Sequence, residues 1–145
     1  MIAVTRRGAV ALFEDVPATV PSTAFAVATR GWVGTVLYGP DGLAHVVENL
    51  DATTPLSGFR KLLSYLYNPR ITAVVTYQPA RPYDIDELRQ ALLSAIDQDD
   101  DLLTQWHERD ELLGRVRNAR SYDELLQVVQ DTKRPPPGFY DTQPN

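Results

Sequence analysis

The chain contains no cysteine, which removes disulfide bridges, a thiol nucleophile and every cysteine-based zinc site from consideration. Such a chain suits a reducing compartment, and a cytoplasmic location is the expectation. No apolar run approaches the roughly 18 residues that span a bilayer, so no membrane segment is expected. The first twenty residues hold Arg6, Arg7, Glu14 and Asp15 without a long apolar core, which does not match a signal peptide. There is no Gly-x-Ser-x-Gly elbow, phosphate loop or dinucleotide fingerprint. Basic residues come as scattered pairs (Arg6-Arg7, Arg60-Lys61, Lys133-Arg134) rather than as a stripe interleaved with aromatics. Nucleic-acid binding is therefore not expected.

What is present is ordinary globular material. The 145 residues are 43% hydrophobic and 23% charged. A chain of this length buries roughly 68–70% of its unfolded surface as one domain. The net charge of −5 disfavours a phosphate backbone and favours a basic protein partner.

The amino-terminal half reads as β. Ala9–Phe13, Ala24–Thr29 and Trp32–Tyr38 are candidate strands, and Pro17 ends the pairing of the first. Gly39-Pro40-Asp41-Gly42 is the clearest turn. Proline presets one dihedral angle and glycine accepts positive φ, so Trp32–Tyr38 and Leu43–Glu48 should form a hairpin. Thr54 and Pro55 suit the start of a helix with Leu56, Phe59, Leu63 and Leu66 on one face, stopped by Asn68-Pro69. Tyr65 and Tyr67 cannot both join that face. Ile71–Tyr77 is β-branched and uncharged, which predicts a strand.

Three helices should follow. Asp84 and Glu87 form a capping-box pattern ahead of Leu88, Leu92, Ala95 and Ile96. A second helix is expected to begin at Asp99–Asp101 and to carry Leu102, Leu103, Trp106, Leu113 and Val116, with Arg115, Arg117 and Arg120 at its negative pole. Ser121 and Glu124 repeat the capping pattern before Leu125, Leu126 and Val129. Strands early and helices late predict an α+β fold: an antiparallel sheet of about five strands with about four helices, three of them C-terminal. The domain should span 1–132, and the Pro-rich stretch 133–145 reads as an extended arm.

Ala9-Val10-Ala11-Leu12-Phe13-Glu14-Asp15-Val16-Pro17, followed by Arg30-Gly31-Trp32-Val33-Gly34-Thr35-Val36, resembles small bacterial domains of SH3-like barrel type. In those domains an apolar strand ends in Glu-Asp-x-Pro and a Gly-x-x-Gly-Thr-Val strand follows. The resemblance covers residues 9–48. It implies a barrel-like sheet, and some of those domains are associated with toxin systems; it supplies no catalytic residue.

Asp97-Gln98-Asp99-Asp100-Asp101 with Glu108 places carboxylates at positions one, three, five and twelve of a calcium-binding helix–loop–helix. Leu102 occupies the sixth position, where glycine makes the turn, and Thr104 the eighth. These departures favour a plainer reading: an acidic helix connection whose aspartates serve the next helix. His107 has Asp110 and Glu111 at helical spacing, and His45 stands in a strand three residues before Glu48. General acid–base catalysis also needs a pocket and a shifted pKa. Tyr77-Gln78-Pro79-Ala80-Arg81-Pro82-Tyr83 is a stiff loop with an arginine between two tyrosines, suited to a contact surface or to packing. Pro135-Pro136-Pro137-Gly138-Phe139-Tyr140 suits an extended segment docking on an aromatic groove.

The expectation is thus a non-enzymatic protein-binding module without a cofactor. Its concrete form is an acidic, immunity- or antitoxin-like inhibitor of a basic toxin or nuclease. The expected partner-binding residues are Asp97, Asp99, Asp100, Asp101, Glu108, Asp110, Glu111, Tyr77, Arg81 and Tyr83. The alternatives are a small enzyme using His45 or His107 with carboxylates, and calcium or small-ligand binding at residues 97–108.

Overall fold

The computed structural model describes residues 1–54, 58–59, 67–98 and 103–135. Its centre is β1 (Ile2–Val4), a three-residue strand buried along its whole length. Alternation sends Ile2 and Val4 to one face and Ala3 to the other, and both faces meet apolar side chains. β2 (Val10–Leu12) and β4 (Val36–Tyr38) flank β1, both antiparallel. β4 divides in the same way, with Tyr38 on the face of Ile2 and Leu37 on the face of Ala3.

The hairpin between β4 and β5 (Leu43–Ala52) forms as the turn chemistry requires. Gly39 donates to the Leu43 carbonyl at 2.9 Å, Gly42 donates to the Gly39 carbonyl at 3.2 Å, and Gly42 takes φ +79°. β5 is ten residues long and serves two halves of the sheet. Leu43 and Ala44 pair with the short β7 (Arg81–Pro82), while Val47–Ala52 pair with β6 (Arg70–Tyr77). The register shifts between Val47 and Asn49. In an uninterrupted strand residues three apart face opposite ways; the irregularity returns Leu50 to the face of Val47, and both are buried in one cluster. β3 (Thr19–Thr23) closes the far side against β6, giving the order β2-β1-β4-β5-β6-β3. Pro21 stands in this edge strand, where a missing ladder donor is tolerated.

Among the described residues the sheet has seven strands, against the five or so expected from the sequence. Three further expectations are corrected. Ala24–Thr29 is helical rather than extended: Thr23 caps α1 (Ala24–Ala28) by accepting from the Ala26 amide at 3.2 Å. Asn68 Oδ1 accepts from the Phe25 amide at 3.1 Å and the Pro69 carbonyl from Ala24 at 3.0 Å, satisfying two more first-turn donors. Trp32–Tyr38 is strand only from Val36, the preceding residues being taken up by turns. The helix expected to begin at Asp99–Asp101 begins at Arg109, so Trp106 precedes it. The helix expected from Thr54 to Leu66 falls mostly outside the described residues. Phe59, placed on its buried face, is 72% exposed, and Tyr67 is 79% exposed.

Three helices cover one sheet face: α2 (Ile85–Asp97), α3 (Arg109–Asn118) and α4 (Tyr122–Asp131). Both expected N-caps are present, with Asp84 accepting from Glu87 N at 2.8 Å and Ser121 from Glu124 N at 3.2 Å, but neither box closes on its cap amide: Glu87 turns to Arg81, and Glu124 accepts from the Arg120 amide at 2.6 Å. Each helix sends one leucine to zero exposure (Leu88, Leu112 and Leu125), and each such burial contributes roughly 1.5–3 kcal/mol. They pack with Ile2, Val4, Tyr38 and Ala44 in one core. The opposite face holds a second core of Ala3, Val20, Leu37, Val47, Leu50, Ala73 and Val75, with Val27 of α1 and Trp32 against it. Among the described residues no helix is long and apolar enough to cross a membrane.

The turn joining β1 to β2 docks on the end of α2. Gly8 is buried there at φ +81°, and a Cβ at this position would stand 3.0 Å from Gln98 Cβ and 3.2 Å from the Ala95 carbonyl oxygen. Gly8→Ala should therefore lose about 1–2 kcal/mol from left-handed backbone strain alone, lowering Tm by roughly 3–7 °C. Gly114, inside α3, faces open space. Gly114→Ala should instead raise stability by about 0.5–1 kcal/mol. Thermal melts followed by circular dichroism check both signs, and a shift in the same direction for both variants contradicts the assignment.

Candidate functional site

Charge is divided between the two halves of the sequence. Residues 1–83 hold seven Lys/Arg and five Asp/Glu, whereas residues 84–145 hold seven and fourteen. The physical reason is partly local: α2, α3 and α4 each open on acidic residues (Asp86 and Glu87, Asp110 and Glu111, Asp123 and Glu124), which the positive pole of a helix favours. Since the helices bury their apolar sides against the sheet, most of these acids lie outward, Glu87 being the exception. Asp86, Asp97, Glu108, Asp110, Glu111 and Asp123 are all exposed.

Asp97 is the last residue of α2, and its carboxylate takes the Arg109 guanidinium at 2.8 Å. The same nitrogen donates to the Asp97 carbonyl at 2.8 Å. This one side chain thus ties the end of α2 to the start of α3, and it occupies the carboxylate that would supply the first calcium ligand. Glu108 caps α3 without a side-chain hydrogen bond. Asp99, Asp100 and Asp101 lie outside the described residues. Among the described residues no group of three His, Asp or Glu side chains is placed to hold a metal ion.

His107 wedges between α3 and α4. Its Nε2 lies 3.2 Å from the Asp131 carbonyl and its Nδ1 lies 3.9 Å from Glu111 Oε1, the carboxylate expected from helical spacing. The Asp131 carboxylate is held below its usual range by hydrogen bonds from Arg115 and then from Gln127. His45 sits elsewhere, its ring edge-on to Tyr77 at 6.2 Å between centroids.

The loop from Tyr77 to Tyr83 is tied down at each of its chemically interesting side chains. Tyr77 donates to the Pro17 carbonyl at 2.7 Å, and Tyr83 to the Gly39 carbonyl at 2.7 Å. Arg81 makes a two-pronged contact with Glu87, at 2.9 and 2.6 Å. Tyr38 donates to the same carboxylate at 3.2 Å, packs edge-on against Tyr83 at 4.9 Å, and receives the Tyr122 hydroxyl on its carbonyl at 3.3 Å. Sequence reasoning did not anticipate this cluster. Glu87 stood out only for its capping role, yet its side chain turns to Arg81 and Tyr38 while Asp84 caps its amide. The Arg81–Glu87 separation is bridged by β7 and the start of α2, which a sequence pattern does not reveal.

The electrostatics follow from these contacts. The Arg81 guanidinium holds the Glu87 carboxyl below its ordinary value. Burial raises Tyr38, Tyr77, Tyr83 and Tyr122, with Tyr77 and Tyr83 each pushed up to about 12. At neutral pH these phenols are protonated donors rather than bases, which makes the cluster a latch between sheet and helices. No protein-family model, curated protein sequence or solved structure matches the chain.

A raised phenol pKa means that the unfolded chain releases the proton first. The stability from the four tyrosines is complete below their unfolded value of 10.0 and declines as pH climbs toward 12. A spectrophotometric titration at 295 nm should show these phenols ionising late, together with the loss of near-ultraviolet circular dichroism. All seven tyrosines ionising around pH 10 in a still-folded protein is the contrary result.

Proposed function

We propose that this chain is a non-enzymatic protein-binding module whose outer helical layer engages a basic partner protein, in the manner of an immunity or antitoxin-like inhibitor. The observation that carries the reading is the charge division along the sequence, in which residues 84–145 hold fourteen of the nineteen acids, together with the exposure of Asp86, Asp97, Glu108, Asp110, Glu111 and Asp123. Clustered like charge on one side raises the encounter rate with an opposite patch and fixes orientation, and this effect falls with salt. The toxin-associated resemblance of residues 9–48 points the same way.

Within the expected contact set, the residues divide by their partners. Asp110 and Glu111 stand exposed on the first turn of α3, so they act on a partner at little cost to the fold. Asp97 is engaged by Arg109, and Arg81 by Glu87, so both would have to exchange an internal contact for an external one. A basic partner is thus met first through Asp110, Glu111 and Glu108.

The test is a low-salt affinity capture from cells that make the protein, followed by kinetics with the captured partner. The expected partner is a single basic protein released by roughly 0.5 M salt, where the screening length falls well below 10 Å. Asp110→Lys with Glu111→Lys should slow association about tenfold or more while leaving the dissociation rate nearly unchanged, with a modest fall in Tm because lysine is unfavourable at the start of a helix. Association that is indifferent to both salt and charge reversal contradicts the reading.

A further inference from the structure

The sheet ends on β2 and β3, and the chain guards these two edges differently. In β3 the bonds from Val75 N to the Ala18 carbonyl and from Ala24 N to the Pro69 carbonyl fix the alternation toward β6. Thr19, Pro21 and Thr23 therefore turn their backbone groups outward. Proline has no donor to offer there, which blunts that edge. In β2 the Thr5 amide donates to the Ala9 carbonyl at 2.9 Å and the Phe13 amide to the Met1 carbonyl at 3.0 Å. Ala9, Ala11 and Phe13 thus bond inward to β1, and Val10 and Leu12 point their N–H and C=O groups away from it. Among the described residues these outward groups have no hydrogen-bond partner. No charge and no proline interrupts Ala9–Phe13, and Val10, Ala11, Leu12 and Phe13 are all only partly buried. An apolar strand with an open row of donors and acceptors is a template for another strand.

What flanks the strand selects that other strand. Arg6 and Arg7 precede it and Glu14 and Asp15 follow it, all four exposed. Among the described residues none of them makes an ion pair, Asp15 acting on the Met1 ammonium only at longer range. Charges of one sign at both ends would repel any second copy. Opposite signs repel only a parallel copy; in an antiparallel pair the basic end of each strand meets the acidic end of the other.

We propose that β2 is a self-association edge, at which a second copy of this chain adds its own β2 in antiparallel register about a two-fold axis at Ala11. This register pairs Val10 of one copy with Leu12 of the other, twice, and so keeps both outward-facing residues matched within the strand. Both pairs are of the hydrogen-bonded kind, with roughly four backbone bonds in all. Ala11 meets its own counterpart in the non-hydrogen-bonded position, where side chains approach most closely and a methyl group fits. Val10 and Leu12 pack toward the helix-side core and Ala11 and Phe13 toward the other, so pairing joins like face to like. So short a strand buries less than the roughly 1,200 Å² of a stable interface, and the dimer is weak, with a Kd on the order of 0.1–1 mM. The proposal uses none of the α3 acids and stands without a basic partner.

A dilution series of the whole chain from about 2 mM to about 0.02 mM brackets that Kd. The readouts are diffusion by nuclear magnetic resonance and amide hydrogen exchange. Diffusion should slow toward that of a dimer as concentration rises, while the Val10 and Leu12 amides shift and gain protection. Val10→Pro removes an outward donor and no internal bond, so it should abolish the concentration dependence. If that variant unfolds, charge decides. Arg7→Glu and Asp15→Arg should each self-associate several-fold more weakly, and mixing the two should restore association, because basic then meets acidic at both ends. A chain that stays monomeric throughout overturns the proposal, including one whose Val10 and Leu12 amides are already protected by a segment of their own chain. Association unchanged in a folded Val10→Pro, or a mixture no tighter than either charge variant alone, overturns it as well.

Discussion

The strands β1 and β4 are only three residues long, yet both of their faces are covered by apolar side chains. A half-exposed sheet needs one covering layer; this one needs two, and the rest of the chain is arranged to supply them. Ile2, Val4 and Tyr38 require the three C-terminal helices, and Ala3 and Leu37 require a second lining on the far side. That lining is built from the sheet itself. The register shift in β5 returns Leu50 to the face of Val47, and it stands where β5 passes from pairing with β4 and β7 to pairing with β6. β3, α1 and Trp32 complete the second core.

The same arrangement explains where polar chemistry can reside. With the helices committed to the sheet through Leu88, Leu112 and Leu125, their polar faces are free to carry charge, and the helix poles favour acids at each start. The Tyr38–Glu87–Arg81 contacts use polar groups at the sheet–helix seam to fix α2 against the β4–β5 hairpin. At the opposite end of α2, Gly8 allows the β1–β2 turn to sit directly on the Ala95 carbonyl. Both ends of α2 are thereby held by the sheet.

Signals carried by local chemistry were legible in the sequence. The Gly39–Gly42 turn, the Asp84 and Ser121 caps and the β-branched run at Ile71–Tyr77 all specify backbone geometry within a few residues. The α+β class followed from their order. What escaped was set by tertiary context. β1 is too short to show alternation, and Pro21 masks β3 because only its edge position makes a proline tolerable. Ala24–Thr29 is an apolar run too short for periodicity to separate helix from strand, and the decisive groups, Thr23 and Asn68, lie outside the run. Asp99–Asp101 marked an acidic stretch, but α3 starts only at Arg109, whose guanidinium reaches back to Asp97. For the candidate site, the acidic residues of α3 were visible from composition. The Glu87 cluster was not, because its members lie up to 84 residues apart.

The account rests on one sheet shared by two cores, so damage to either core must be felt by both. Leu37→Ala opens the second core and Leu88→Ala the first. The direct measurement is denaturant unfolding of each variant, read from far-ultraviolet circular dichroism and from single-tryptophan reporters at Trp32 and Trp106. The account predicts one coincident transition for all probes, destabilised by about 2–5 kcal/mol in both variants. A Leu37→Ala protein whose Trp32 signal melts early while Trp106 and the helical signal keep their original midpoint would contradict it.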